Sequence, residues 1–308
     1  MALINIVLLT YNRPFFLKKA VNSIISQTFT KFNLIILDNG SDSKTKKVLK
    51  SFHDNRITII HNEFNSLEFI NKAFSFLDSK YLMITHDDDE MDSNLLKIQI
   101  NELELKNNID LLACRINLID ENSNKLRKIR PRIFKDKLWS KGEYIKQYFF
   151  SGNIIPCPTI IFRTDFLKKY PLNYNWEVGP ASDLYLLFEA NINGVLALSK
   201  NPLFNYRIHP NQDSELNRVS MELEVKSGII DLLKKNQMNN LVSSYNSASN
   251  GILLNILLEG FVKKKISYIT FKQQIKILVI DHKLKINKYT VYWSLIGVFR
   301  GIKNSIQL

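Results

Sequence analysis

Residues 4–43 read "INIVLLTYNRPFFLKKAVNSIISQTFTKFNLIILDNGSDS", and this phrase decides the fold. "INIVLL" (4–9) is nearly all apolar and β-branched, the signature of a buried strand. It breaks at "TYNRP", where Pro14 suits the first turn of a helix and Asn12 is placed to cap it. Leu17, Ala20, Val21, Ile24 and Ile25 then recur at helical spacing, giving one apolar face. "FNLIIL" (32–37) is a second strand, closed by the turn cluster "DNGSDS".

Working outward, "RITII" (56–60) reads as a third strand, 67–77 as a helix and "KYLMIT" (80–85) as a fourth strand. Strands alternating with helices at this spacing imply βαβ crossovers and a mainly parallel, helix-covered sheet. Ligands in such sheets bind beyond the carboxyl ends of the strands. "TYNR", "DNGSD" and "HDDDE" each follow a strand end, so one rim should carry all three. From about 110 the pattern loosens: "IDLLACRINLID" reads as strand, "KGEYIKQYFF" as helix, and 151–165 as a loop entering a strand. Residues 181–195 read as a helix capped near Ser182 and closed by Gly194; 203–214 read as a strand and exit loop. Beyond 215 the pattern is helical. The expected organisation is an α/β domain over 1–214 and a basic helical region over 215–308.

The bulk properties narrow the function. An apolar share of 45% and a charged share of 23% fit a globular chain. Two cysteines, Cys114 and Cys157, exclude a disulfide scaffold, suit a reducing cytoplasmic setting and read as small core residues. No apolar run approaches the ~20 residues of a membrane span, and the N-terminal run lacks a basic flank and a cleavage site. The net charge of +13 is uneven: 215–308 hold 14 Lys and Arg against 6 acids, and the first 214 residues 28 against 23. A basic tail can meet an anionic membrane surface, for instance through Lys263, Lys264 and Lys265, or be a solvated face. Nucleic acid is disfavoured, because the lysines lack interleaved aromatics or a recognition motif. "TYNRP" has no glycine, which argues against a dinucleotide oxidoreductase, and no Gly-Lys-Ser/Thr cradle exists for a P-loop.

"ITHDDDEM" (84–91) places three aspartates together with no Lys or Arg nearby in sequence. Such a run is costly unless protonated, solvated or neutralised by a cation. It reads either as an acidic turn before a helix starting near Asp92, or as hard oxygen ligands for Mg²⁺ or Mn²⁺ that would clamp a diphosphate.

Taken in order, "TYNRPFFLKKAVNSIISQT", "LIILDNGS" and "YLMITHDDDEM" resemble the nucleotide-binding half of the family 2 glycosyltransferases, which have the GT-A fold. The resemblance spans about 4–214. It implies that Thr10, Tyr11, Asn12 and Arg13 line the base and ribose pocket, and that Asp38 bonds the base, usually uracil. A carboxylate suits uracil N3–H because it only accepts; an Asx-turn role is the alternative for Asp38. Asn39 stands where a second Asp is usual, and Asp42 one position early. Asp87-Asp88-Asp89 match the DxD motif, with Asp89 on the metal and Asp87 on ribose or metal; Asp87/Asp89 and Asp88/Asp89 both remain as the liganding pair. His86 stands where many members have an acid and reads more readily as a strand-end residue.

The resemblance also places a general base at Asp183 in "GPASDLYLLFE", although Ser182 replaces the usual Glu. The alternative is a first-turn acid favoured by the helix dipole; Glu177 and Asp165 are weaker candidates. In "NYRIHPNQDS", His209 could touch the diphosphate or complete the metal shell, steadied by Arg207, or simply pack the loop. Asn153 and Thr159 fall where the family shapes its acceptor pocket. The implied activity is metal-dependent, inverting transfer of a sugar from a nucleotide donor, most readily a UDP-sugar, to a glycan or lipid-linked acceptor in bacterial surface-polysaccharide assembly. Expected surroundings are the cytoplasm or the inner face of its membrane, and the helices after about 215 are expected either to cover the core or to mediate a homodimer. The competing reading is an inactive GT-A-like binding module.

Overall fold

The computed structural model describes residues 2–209, 218–264, 266–280, 284 and 287–305, in two compact units. The first comprises Met1–Lys141, Ile154–Tyr174 and Ala190–Gln212; the second comprises Gly142–Asn153, Asn175–Glu189 and Asp213–Leu308. Two short segments below residue 214 therefore group with the C-terminal helices.

The first unit grows from β1 (Ile4–Thr10), α1 (Pro14–Ile25) and β2 (Phe32–Asp38). A helix not expected from the sequence, α2 (Ser43–Leu49), follows because Asp42 caps it by accepting from Thr45 N–H at 2.8 Å. Next come β3 (Ile57–His61), α3 (Leu67–Asn71) with a 3-10 turn over Lys72–Ser75, and β4 (Tyr81–His86). Then follow β5 (Glu90–Met91), α4 (Leu95–Leu105), β6 (Leu111–Ile119), β7 (Lys125–Arg130) and β8 (Lys137–Trp139). After α5 (Glu143–Ser151) of the second unit, the chain gives β9 (Ile161–Arg163) and α6 (Thr164–Lys169). The helix α7 (Ser182–Asn193) precedes β10 (Leu196–Arg207).

The sheet order is β3-β2-β1-β4-β9-β6-β10-β5, with β7 on β6 and β8 on β10. The β1–β2, β1–β4, β2–β3 and β6–β10 pairs are parallel, as the crossovers demand. β9 pairs antiparallel with β4 and β6, so the sheet is mixed. Ile4, Ile6, Leu8, Leu17, Leu34 and Ile36 are buried in its main core.

Two local readings are corrected. β10 begins at Leu196 rather than at 203; register shifts on either side of Pro202 absorb the missing N–H and let the strand run through it. Asn12 does not cap α1. It sits at φ 53°, and its side chain accepts from Asp42 N–H at 2.7 Å, tying the first turn to the second.

The second unit is helical, with α5, the start of α7, α8 (Arg218–Lys235), α9 (Asn239–Val262), α10 (Tyr268–Ile280) and α11 (Lys288–Ser305). Tyr148, Phe188 and Tyr245 pack in its interior with ring centroids 5.2–6.1 Å apart, Phe188 edge-on to both tyrosines. Lys226 is buried and bonds Asn250 Oδ1 at 2.6 Å, so this tail lysine is not on a solvated face. Among the described residues no helix is long and apolar enough to cross a membrane.

Candidate active site

Strand register brings the three polar clusters together. Thr10 pairs with Asp38, Leu9 with His86, and Asp38 with His61, so the carboxyl ends of β1, β2, β3 and β4 lie level. The Asp38 turn is tight: Gly40 has φ +81°, and a Cβ there would lie 2.5 Å from the Phe64 backbone. Asp38 is fully buried; Oδ1 accepts from Ser41 N–H at 3.0 Å, and Oδ2 lies 2.7 Å from His61 Nδ1. Both the Asx-turn role and a front-line neighbour are therefore present. His61, half-exposed before that carboxylate, is a residue the sequence analysis missed, since a strand-end His carries no local signal.

Cations remote in sequence converge on the aspartates. Asp87 accepts from Thr10 Oγ1 (2.6 Å), Tyr11 N–H (3.2 Å) and Arg13 Nη1 (3.2 Å). Arg13 also lies 3.2 Å from Asp88, and His209 Nε2 lies 3.2 Å from the same oxygen of Asp88. Arg207 donates its backbone N–H to Asp89 Oδ1 at 2.9 Å. Its fully buried guanidinium donates to Asp88 O (2.7 Å), Asp120 O (2.7 Å), Glu121 O (3.1 Å) and the Glu90 carboxylate. Arg207 is thus the hub of the motif rather than only a support for His209.

These surroundings split the three neighbouring acids. Burial, and then Asp88 alongside, push Asp87 up to about 6 despite Arg13. Burial also works against ionised Asp88, but His86, Arg13 and His209 together hold it below the usual carboxylate range. Burial, followed by the charges of Asp88 and Asp87, lifts Asp89 well above it, against the pull of Arg207. Asp89 Oδ2 is buried without a hydrogen-bond partner. One ligand atom each from His86, Asp88 and Asp89 gather within 4.8 Å of one another. Two carboxylates and an imidazole with an orphaned buried oxygen fit a divalent cation. The structure does not bring Asp87 or His209 into that trio, and it adds His86.

Of the other expected residues, Asp183, Glu177 and Asn153 belong to the second unit, and Asp165 and Thr159 to the first. Asp183 opens α7 in the second unit, half-buried, its Oδ1 accepting from Leu184 N–H at 2.7 Å, while Ser182 beside it is buried. Glu177 lies in the 3-10 turn Trp176–Ala181, with its N–H bonded to Asn175 Oδ1. The Asp165 side chain is 92% exposed in the first turn of α6. Asn153 accepts from Tyr144 OH at 2.7 Å. Thr159 is fully buried, bonding the Cys114 backbone and Pro156 O. Cys114 is a buried free thiol pushed up to about 12 by that burial, an inert core residue as expected. Pro210–Ser214 and Lys265 lie outside the described residues.

A mixed sheet whose level strand ends carry polar turns and a buried acidic motif has the GT-A fold. The chain belongs to Glycosyl transferase family 2, whose sequence profile matches residues 5–170. It is 32% identical over 227 residues to an uncharacterised glycosyltransferase of Methanocaldococcus jannaschii, covering 71% of this chain and 75% of that one. It is 24% identical over 221 residues (70% and 83%) to the Escherichia coli UDP-Glc:alpha-D-GlcNAc-diphosphoundecaprenol beta-1,3-glucosyltransferase. The fold matches Staphylococcus aureus TarS 1–349, solved in complex with UDP-GlcNAc, at a TM-score of 0.66 and 17% identity, covering 100% of this chain and 92% of that one.

Proposed function

We propose that the chain transfers a sugar, with inversion, from a UDP-sugar to a glycan or lipid-linked glycan acceptor during assembly of a surface polysaccharide, on the cytoplasmic side of the membrane. The observation that carries the donor side is the orphaned, buried Asp89 Oδ2 within the His86–Asp88–Asp89 group, level with the Asp38 turn. The E. coli relative, named for UDP-Glc and a diphosphoundecaprenol-linked acceptor, and the UDP-GlcNAc complex of TarS supply the choice of nucleotide and acceptor class.

In this reading His86, Asp88 and Asp89 hold Mn²⁺ or Mg²⁺, which when bound would offset the charge of the departing diphosphate. Asp87 has a different task. With Thr10, Tyr11 and Arg13 on it, this carboxylate fixes the turn that frames the nucleotide. Asp38 and His61 form the base-reading end, and His209 steadies Asp88. Asp183 takes the proton from the acceptor hydroxyl as it attacks the anomeric carbon.

Calorimetric titration with UDP and Mn²⁺ tests the donor side. Asp89→Asn keeps an acceptor for Arg207 N–H but loses the charge. It should weaken metal-dependent UDP binding at least ~30-fold, about 2 kcal/mol, with little change in melting temperature. Unchanged metal-dependent binding in this variant would sink the assignment.

A further inference from the structure

We propose that residues 125–137, the strand β7 and the loop after it, form a docking surface for a bilayer containing anionic phospholipid. The segment "KLRKIRPRIFKDK" holds seven Lys or Arg and one acid, a net +6. The first 214 residues carry 28 basic against 23 acidic side chains, so this stretch alone exceeds their entire excess. Its one acid is engaged by the protein: Asp136 Oδ1 accepts from Lys200 N–H at 2.8 Å.

The geometry displays that charge outward. Among the described residues β7 pairs only with β6, and all six of its residues are exposed, so the ribbon presents cations on both faces. Such an edge repels another strand and is suited to a flat anionic surface. Phe134 is 94% exposed among these cations, with Leu126 and Ile129 also exposed. The loop that carries it is held, because Arg115 Nε donates to Pro131 O at 2.9 Å and Ile133 is buried. Phe134, Leu126 and Ile129 thus offer apolar side chains among the cations, the combination that binds at a headgroup boundary. Leu126 and Ile129 select the partner: aliphatic side chains cannot stack on bases but suit the boundary between headgroups and acyl chains.

Lys263 is ion-paired with Glu259 one turn back. The hairpin also connects to the donor end of the sheet. Its turn carbonyls, Asp120 O and Glu121 O, accept from Arg207, which holds the Asp88 carbonyl and Glu90. Docking there would place the acidic motif and a membrane-borne acceptor in one frame.

Flotation of the full chain with phosphatidylcholine vesicles, with and without about one-third phosphatidylglycerol, tests the surface. Its readout does not depend on sugar transfer, so it stands or falls apart from the proposed activity. Binding should require the anionic lipid and weaken with salt. Each charge near the surface is worth about fivefold, so K125E/R127E/K128E should lose more than ~100-fold. Phe134→Ser should lose several-fold without altering the salt slope. K272E/K276E, on exposed tail positions, should keep most of the binding; circular dichroism and thermal melts confirm that each variant is folded. Binding that is equal on neutral vesicles, that survives the triple reversal, or that occurs only to a soluble polyanion such as heparin overturns the proposal.

Discussion

Replacing Arg207 with alanine probes the link between the acidic motif and the rest of the sheet most directly. The side chain is fully buried, and its fork donates to Asp88 O, Asp120 O, Glu121 O and the Glu90 carboxylate while lying 4.9 Å over the Phe16 ring. Truncation leaves Glu90, whose side chain is 21% exposed, without its cation, and strands three carbonyl oxygens. Removing one member of a buried ion pair costs about 3–5 kcal/mol; the guanidinium's bonds to the three carbonyls are part of the same charged fork, so their loss overlaps heavily with that figure. We expect a loss of about 4 kcal/mol, a fall in Tm of about 8–16 °C by scanning calorimetry. Arg207→Lys retains the charge but not the planar fork, and should lose about half as much. Lys19→Ala is the control: this half-buried lysine reaches the same turn, at Ser123 Oγ (2.9 Å), and should matter by less than about 1 kcal/mol. If Arg207→Ala melts within about 2 °C of the wild type, the hub argument is wrong.

Asp183→Asn should lower kcat by about 10²–10⁴-fold while UDP binding stays within about twofold; loss of both together would place Asp183 in the fold rather than the chemistry. Asp54 should give an acid-side stability limb. Its carboxylate is held at about 2, below the usual 3.8, chiefly by the Arg56 guanidinium. Because the folded value lies below the unfolded one, its contribution is complete above about pH 4 and lost as the pH falls toward 2. With 21% of the side chain exposed, it amounts to roughly 1 kcal/mol. Denaturant titrations of wild type and Asp54→Asn should therefore converge across that window; a constant gap refutes the linkage.

Much of the donor half was legible because its signals are local. An apolar β-branched run, a Pro-started helix and an Asp-Asn-Gly-Ser turn each declare themselves within a few residues. Parallel crossovers then leave little freedom, so the level ends of β1, β2 and β4 followed from order alone. The α2 helix and the early start of β10 escaped notice, one resting on a single capping aspartate, the other on a bulge around Pro202.

The sequence by itself determined the sheet, the rim on which the polar turns sit and the family, because hydrophobic period and turn chemistry act over short range. Only the tertiary structure decided what the three aspartates face. Read along the chain they have no cation nearby; in the fold Arg13, Arg207 and His209 arrive from 74 to 121 residues away. Burial and those charges then separate the acids, leaving Asp88 ionised, Asp87 and Asp89 raised, and one oxygen of Asp89 unsatisfied. Desolvation and Coulomb terms depend on distance through space, which the order of residues does not contain.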